Sequence, residues 1–168
     1  MKRIGIIGVG LLGSAVASRL LKGGFEVAAY DSRPEQVKRL QAQGLIAAAS
    51  VAEAAAEADA VFTILPSLES VETTILGRGG LIETAPRDCM LIQMSTISPE
   101  LTRRLASAAL AGRLGFLDAP MSGTSAMGER GDCAIFSDGD RALAEACRPI
   151  VDAIAKKTHY VGDAGMAS

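Results

Sequence analysis

Three glycines near the N-terminus constrain the fold of this chain more than any other feature. Gly8, Gly10 and Gly13 follow an apolar run from Ile4 to Ile7, at the spacing G-x-G-x-x-G. A strand that leads into such a turn needs one glycine for the turn itself, a second where a pyrophosphate approaches the backbone, and a third where the next helix packs closely on the sheet. Backbone N–H groups at the start of that helix can hold the anion without a cationic side chain. The pattern therefore predicts a dinucleotide-binding strand–turn–helix.

A second predicted strand indicates which dinucleotide binds. It runs into Asp31, 18 positions after Gly13, where a carboxylate is expected to accept hydrogen bonds from the adenosine ribose. The charge of Asp31 would repel a ribose 2′-phosphate, which favours NAD. Arg33 leaves NADP open, because a guanidinium can bind a 2′-phosphate; the alternative is an exposed residue at a helix start. The predicted cofactor residues in this region are Gly8, Val9, Gly10, Leu11, Leu12, Gly13, Asp31, Ser32 and Arg33.

Composition excludes several other functions. The net charge is −2, so the chain lacks the excess of positive charge that is typical of proteins that bind nucleic acid or an anionic membrane. No apolar stretch approaches the length of a membrane span and no leader precedes the first strand, so we expect a cytoplasmic protein. Three cysteines without a C-x-x-C pair predict reduced, buried thiols and neither a disulfide framework nor a metal site. His159 is the only histidine, and we expect a structural role for it.

Strand and helix patterns alternate along the 168 residues, which predicts one α/β domain: a doubly wound, mostly parallel Rossmann-type sheet with helices on both faces. The predicted strands are Arg3 to Ile7, Glu26 to Tyr30, Leu45 to Ala47, Ala60 to Leu65, Met90 to Gln93, Gly115 to Asp118, Ala134 to Ser137 and Thr158 to Val161. The predicted helices are Leu11 to Leu21, Pro34 to Gln43, Val51 to Ala56, Leu68 to Leu76, Pro99 to Ala111 and Arg141 to Ile154. The last two have predicted N-caps, Ser98, which is followed by a proline at the first helical position, and Asp140.

Four motifs in this order resemble the β-hydroxyacid dehydrogenases, the family of 3-hydroxyisobutyrate dehydrogenase, tartronate semialdehyde reductase and, more distantly, 6-phosphogluconate dehydrogenase. They are the glycine-rich turn, with Leu12 in place of a common methionine; Leu65-Pro66; the run from Met94 to Pro99; and the run from Asp118 to Gly123. The last is the most discriminating, because it resembles the family's D-A-P-V-S-G-G motif.

The resemblance implies a hydride transfer between a nicotinamide and the β-hydroxyl carbon of a small hydroxy acid or the corresponding semialdehyde. It places Leu65, Pro66, Ser95 and Thr96 beside the cofactor. It also assigns the substrate carboxylate to three residues, Ser122, Gly123 and Thr124. Small residues there expose backbone N–H groups, and the hydroxyls add donors. Thr124 replaces the family's usual second glycine.

The resemblance also implies what lies outside this sequence. Gly162 to Ala167 resembles the start of the family pattern G-x-x-G-x-G-x-x-x-K, with Ala167 at the third glycine, so the catalytic lysine would fall three positions beyond Ser168. We therefore expect a cofactor domain over residues 1–161 and, in 162–168, the start of a connection to a helical domain. The isolated chain should bind cofactor with little turnover, and the complete protein should be a homo-oligomer. Lys156 and Lys157 are poor substitutes, because they precede a strand whose N-terminal end we expect to lie away from ligands.

Two other functions stay open: a non-catalytic dinucleotide-binding module, and an enzyme similar to the imine reductases, which often lack the lysine. Asp138 and Asp140 could suggest a metal loop. Their spacing lacks the remaining ligands of a calcium loop, so we expect a solvated turn followed by a helix cap.

Overall fold

The computed structural model describes all residues, 1–168. Its nine strands are β1 (Arg3–Ile7), β2 (Glu26–Tyr30), β3 (Ile46–Ala47), β4 (Ala60–Thr63), β5 (Met90–Gln93), β6 (Gly115–Asp118), β7 (Met121–Ser122), β8 (Ala134–Gly139) and β9 (Lys157–Gly162). Its eight helices are α1 (Leu11–Lys22), α2 (Pro34–Gln41), α3 (Val51–Ala55), α4 (Leu68–Leu76), α5 (Leu81–Thr84), α6 (Pro99–Ala111), α7 (Ser125–Arg130) and α8 (Arg141–Ile154).

All strands join one sheet in the order β3-β2-β1-β4-β5-β6-β8-β7, and β9 pairs with β8. The six strands β1 to β6 are mutually parallel, and their order is that of a doubly wound dinucleotide-binding fold. Successive strands are added on one side of β1 up to β3 and on its other side from β4 onward. A crevice therefore opens beside the carboxyl ends of β1 and β4. The predicted Rossmann-type fold is confirmed.

The core has two layers because parallel strands bury both of their faces. On one face Ile4 and Ile6 pack with Leu20 of α1 and Ile150 of α8. On the other face α6 and its neighbours cover a second cluster that includes Ile7. The three cysteines are free and buried, as predicted, and burial raises the pKa of the Cys147 thiol to about 12. No helix is both long enough and apolar enough to span a membrane.

Three short elements escaped the sequence analysis: α5, β7 and α7. Each has six residues or fewer, which is too short to show a hydrophobic period. Several predicted bounds also differ by one or two residues; for example, the strand predicted over Ala60 to Leu65 ends at Thr63. The predicted caps are confirmed: the Ser98 side chain accepts from Leu101 N at the start of α6, and Asp140 caps α8.

Two predictions at the antiparallel edge of the sheet are wrong. Asp138 is not in a solvated turn: it lies within β8, is fully buried, and accepts hydrogen bonds from residues 165 and 167. The N-terminal end of β9, which Lys156 precedes and Lys157 begins, also does not lie away from the ligand side of the sheet. Since β8 runs antiparallel to β6 and β9 runs parallel to β8, the N-terminal end of β9 points toward the crevice edge. Neither lysine lines the large groove described below, and the Lys156 ammonium pairs with the Asp132 carboxylate.

Candidate functional site

The turn between β1 and α1 contains three glycines, and the structure gives a different reason for a glycine at each position. Gly8 adopts a φ of +97°, and a Cβ atom there would lie 2.2 Å from the carbonyl oxygen of Ile64. A Cβ atom on Gly13 would lie 2.0 Å from the carbonyl oxygen of Gly8. Gly10 is the N-cap of α1, and a Cβ atom there would meet no atom within 4 Å. Packing therefore requires Gly8 and Gly13, whereas Gly10 keeps the helix N-terminus open to the groove.

The end of β2 is tied to this turn by Asp31. One of its carboxylate oxygens accepts from Val9 N at 2.7 Å, and the other accepts from Arg33 N at 2.9 Å. The Arg33 guanidinium approaches the same carboxylate at 3.5 Å, while its side chain stays largely exposed. Because each carboxylate oxygen can accept more than one hydrogen bond, Asp31 can brace the turn and still receive a ribose hydroxyl.

The loops that follow β4 and β5 meet at the opposite end of the crevice. Leu65 N donates to Ser95 Oγ at 2.8 Å, which joins the two loops directly. Ser95 itself is nearly buried. Its backbone is held by the side chain of Gln93, the last residue of β5: Ser95 N donates to Gln93 Oε1, and Gln93 Nε2 donates to Ser95 O, both at 2.6 Å.

These parts surround one groove of about 950 Å³ at the carboxyl ends of β1 and β4. A pocket of this size suits a dinucleotide. The predicted cofactor residues that line it are Gly8, Gly10, Leu11, Leu12, Gly13, Asp31, Ser32, Arg33, Leu65, Pro66, Ser95 and Thr96. Val9 is the exception, since its side chain is fully buried and only its N–H takes part, through Asp31.

One wall of the groove was missed by the sequence analysis. It is formed by α4 and the turn after it, with lining residues Ser67, Glu69, Ser70, Thr73, Thr74 and Arg78. A sequence signal existed: Ser67 and Ser70 form a capping box, and polar residues recur three and four positions later on one helical face.

The predicted carboxylate loop stands at the rim of the groove. Met121 lines the groove, and the next three residues, Ser122 to Thr124, are exposed. Gly123 has a φ of +145°, which a side chain would strain. The Thr124 side chain accepts from Met127 N and so caps α7. The structure therefore gives Thr124 a local role that is independent of any ligand.

Two buried carboxylates lie beside each other where β6 leads toward this loop. Asp118 at the end of β6 is the cross-strand partner of Asp138 in β8, and both side chains are inaccessible to solvent. Asp118 accepts from Gln93 Nε2 at 3.1 Å and from the hydroxyls of Thr102 and Ser168. Burial raises the pKa of the Asp118 carboxyl to about 6, and burial also raises the pKa of Asp138.

Comparison with known proteins decides the family. The model of the NAD-binding domain of 6-phosphogluconate dehydrogenase matches residues 3–162. The chain belongs to this family. A curated relative, 2-(hydroxymethyl)glutarate dehydrogenase of Eubacterium barkeri, is 34% identical over 163 residues, which are 97% of this chain and 54% of the relative. The 3-hydroxyisobutyrate dehydrogenase of Pseudomonas aeruginosa is 33% identical over 98% of this chain and 55% of its own length.

A solved structure of Mycobacterium tuberculosis 3-hydroxyisobutyrate dehydrogenase with L-serine superposes with a TM-score of 0.92 at 29% identity, covering 99% of this chain and 56% of that one. The chain thus spans about half the length of the relatives that it matches. The groove fits the cofactor of an NAD-binding domain, since the absence of a side chain at Gly10 leaves the N-terminus of α1 open for a diphosphate.

Proposed function

We propose that this chain is the cofactor-binding half of an NAD-linked 3-hydroxyacid dehydrogenase or semialdehyde reductase. The observation that carries the proposal is the continuity of the groove. The glycine-rich turn and Asp31 form one end, and Met121 lines the same groove immediately before the exposed Ser122 to Thr124 loop. A dinucleotide in this groove would thus bring its reactive end next to a loop suited to a carboxylate.

Each part of the groove has a distinct task in this proposal. Backbone N–H groups at the start of α1 hold the pyrophosphate, and Asp31 receives the adenosine ribose. Leu65 and Pro66 and the loop at Ser95 and Thr96 flank the nicotinamide. When bound, the cofactor supplies or accepts the hydride. The hydroxyl of Ser122 and backbone N–H groups of the same loop bind the substrate carboxylate, which orients the β-carbon.

NAD is the proposed cofactor because the Asp31 side chain is held in place. Two backbone N–H groups donate to its carboxylate and the Arg33 guanidinium contacts it, at the position that follows β2. Arg33 is thereby partly engaged by Asp31 and is less available for a 2′-phosphate. Charge repulsion from a fixed carboxylate should disfavour NADPH.

The proton-transfer step needs a residue outside this chain. The family resemblance places a lysine beyond Ser168, whereas Lys156 is paired with Asp132 and does not line the groove. We propose that residues 1–161 form the cofactor domain and that 162–168 begin the connection to a helical domain. Loss of a general acid/base typically costs about 10² to 10⁴ in rate, so the isolated chain should bind cofactor with little turnover.

The test is an assay of a protein in which this chain continues into the proposed helical domain. NAD⁺ reduction is followed by absorbance with a panel of small 3-hydroxy acids, and NADH oxidation with cyclic imines in parallel. Turnover of a 3-hydroxy acid supports the proposal. Turnover of imines alone would identify an imine reductase instead, and cofactor binding with no turnover of either class would indicate a non-catalytic module.

A further inference from the structure

A row of buried polar side chains crosses the sheet at the carboxyl ends of its central strands. Thr63, Gln93, Asp118 and Asp138 are successive register partners on β4, β5, β6 and β8. All four are inaccessible to solvent. Since register partners present their side chains to the same face, the row forms a continuous polar band in a sheet that is otherwise apolar there.

Gln93 is the centre of this band and uses both ends of its amide. Its Nε2 donates to Ser95 O and to Asp118 Oδ1, and its Oε1 accepts from Ser95 N. The two bonds to Ser95 are both 2.6 Å long and close a small ring between the side chain and the backbone. The turn at residues 94 and 95 is therefore held by a side chain that does not itself line the groove.

Asp118 determines which way the Gln93 amide faces. A carboxylate oxygen in this position favours the amide nitrogen on its side, which leaves the Gln93 oxygen for Ser95 N. The other carboxylate oxygen of Asp118 is held by the hydroxyls of Thr102 and Ser168. The partner of Gln93 on β6 is thus held by two hydroxyl groups of its own.

The effect reaches the groove through Ser95. With its backbone held by Gln93, Ser95 presents its hydroxyl oxygen to Leu65 N, so the loop after β4 and the loop after β5 are joined at a fixed spacing. Leu65, Ser95 and Thr96 line the groove, whereas Gln93 does not. At the other end of the groove, Asp31 and the glycine-rich turn make no hydrogen bond with this network.

We propose that Gln93 is a positioning residue that shapes the nicotinamide end of the groove and leaves the adenosine end unaffected. The assignment of the nicotinamide end rests on the proposed function. If Gln93 only stabilised the fold, its substitution would weaken the binding of NADH and of ADP alike. If Gln93 positions the nicotinamide end, its substitution should weaken the binding of NADH without weakening the binding of ADP, which lacks the nicotinamide riboside.

The experiment measures calorimetric affinities of NADH and ADP for the unaltered chain, Gln93→Met and Thr63→Val. Methionine has a similar length and cannot make the three hydrogen bonds. Thr63→Val is the matched control, because Thr63 is equally buried in the same row but its hydroxyl has no hydrogen-bond partner. We expect Gln93→Met to weaken the affinity for NADH by about tenfold and the affinity for ADP by less than about twofold. Thr63→Val should change neither affinity by more than about twofold.

Ser95→Ala is a second variant in case Gln93→Met does not fold. It removes the oxygen that accepts from Leu65 N and should show the same selective loss of NADH affinity. An equal loss of both ligands, or an unchanged NADH affinity, in a folded variant would overturn the inference. Failure of the unaltered chain to bind either ligand would instead contradict the proposed function, so the two failures are distinguishable.

Discussion

The carboxylate of Asp31 accepts a hydrogen bond from the backbone N–H of Val9 across 2.7 Å. This bond links the residue that follows β2 to the glycine-rich turn, 22 residues earlier in the chain. Asp31 therefore holds the shape of the turn, and in the proposed function the same carboxylate also receives the adenosine ribose.

Removing the charge of Asp31 should relax the choice of cofactor. The unaltered chain is expected to bind NADH at least about tenfold more tightly than NADPH, and Asp31→Asn should bring the two affinities within about threefold. Asparagine keeps an oxygen for Val9 N, so the turn should persist. Fluorescence titration with both cofactors measures the ratio. Equal affinities for the unaltered chain would contradict the role of Asp31.

Arg33→Ala separates the contribution of the guanidinium. If Arg33 mainly pairs with Asp31, the alanine variant should retain the preference for NADH, with both affinities changed by less than about threefold. A selective loss of NADPH affinity would show that Arg33 binds a 2′-phosphate. The same titration distinguishes the two results.

Gly10 and Gly13 should respond in opposite ways to alanine. At Gly10 the added methyl group meets no protein atom, so the free energy of unfolding should stay within about 1 kcal/mol while NADH affinity falls by about tenfold or more. At Gly13 the methyl group would lie 2.0 Å from a carbonyl oxygen, and stability should fall by about 3 kcal/mol or more. Urea unfolding and NADH titration measure both. A Gly10→Ala chain with full affinity would show that the anion does not bind at this turn.

Asp118 should make the chain less stable as the pH rises. Burial raises the pKa of its carboxyl from 3.8 to about 6, so the folded state binds more protons than the unfolded state in this interval. The stabilising contribution is present below pH 3.8 and is lost as the pH rises through about 6, by ~3 kcal/mol in total. Asp118→Asn lacks this dependence. Urea unfolding is measured at pH 4 and pH 7. The free energy of unfolding of the asparagine variant, relative to that of the unaltered chain, should be higher at pH 7 than at pH 4. The same change with pH in both proteins would contradict the prediction.

Thr124 should matter to α7 even without a substrate. Thr124→Ala removes the acceptor for Met127 N and should weaken the helix N-terminus by about 1 kcal/mol, which raises the hydrogen-exchange rate of the Met127 amide about fivefold. Thr124→Ser keeps the hydroxyl and serves as the control. Equal exchange rates in both variants would show that the cap does not stabilise α7.

Much of the fold could be predicted because its signals are local. The strand that delivers into the turn, the proline after Ser98 and the cap at Asp140 each depend on neighbouring residues, and the structure has them as expected. The short helix α7 also carried a signal, a threonine cap followed by a left-handed glycine at Gly131, but it lies in a segment that resembles a loop motif.

The buried network could not be predicted, because its partners are distant in sequence. Asp138 accepts from backbone N–H groups of Gly165 and Ala167, which lie 27 and 29 residues further on. An aspartate beside a glycine otherwise indicates an exposed turn. Gln93 has the same difficulty: its connection with Asp118 exists only because β5 and β6 are neighbours in register.

The most direct test of this account is a calorimetric titration of the unaltered chain with NADH. We expect saturable binding of one NADH per chain, because a single groove of about 950 Å³ is lined by the glycine-rich turn, Asp31 and the two loops at Leu65 and Ser95. Absence of saturable binding by either NADH or NADPH would contradict its central claim.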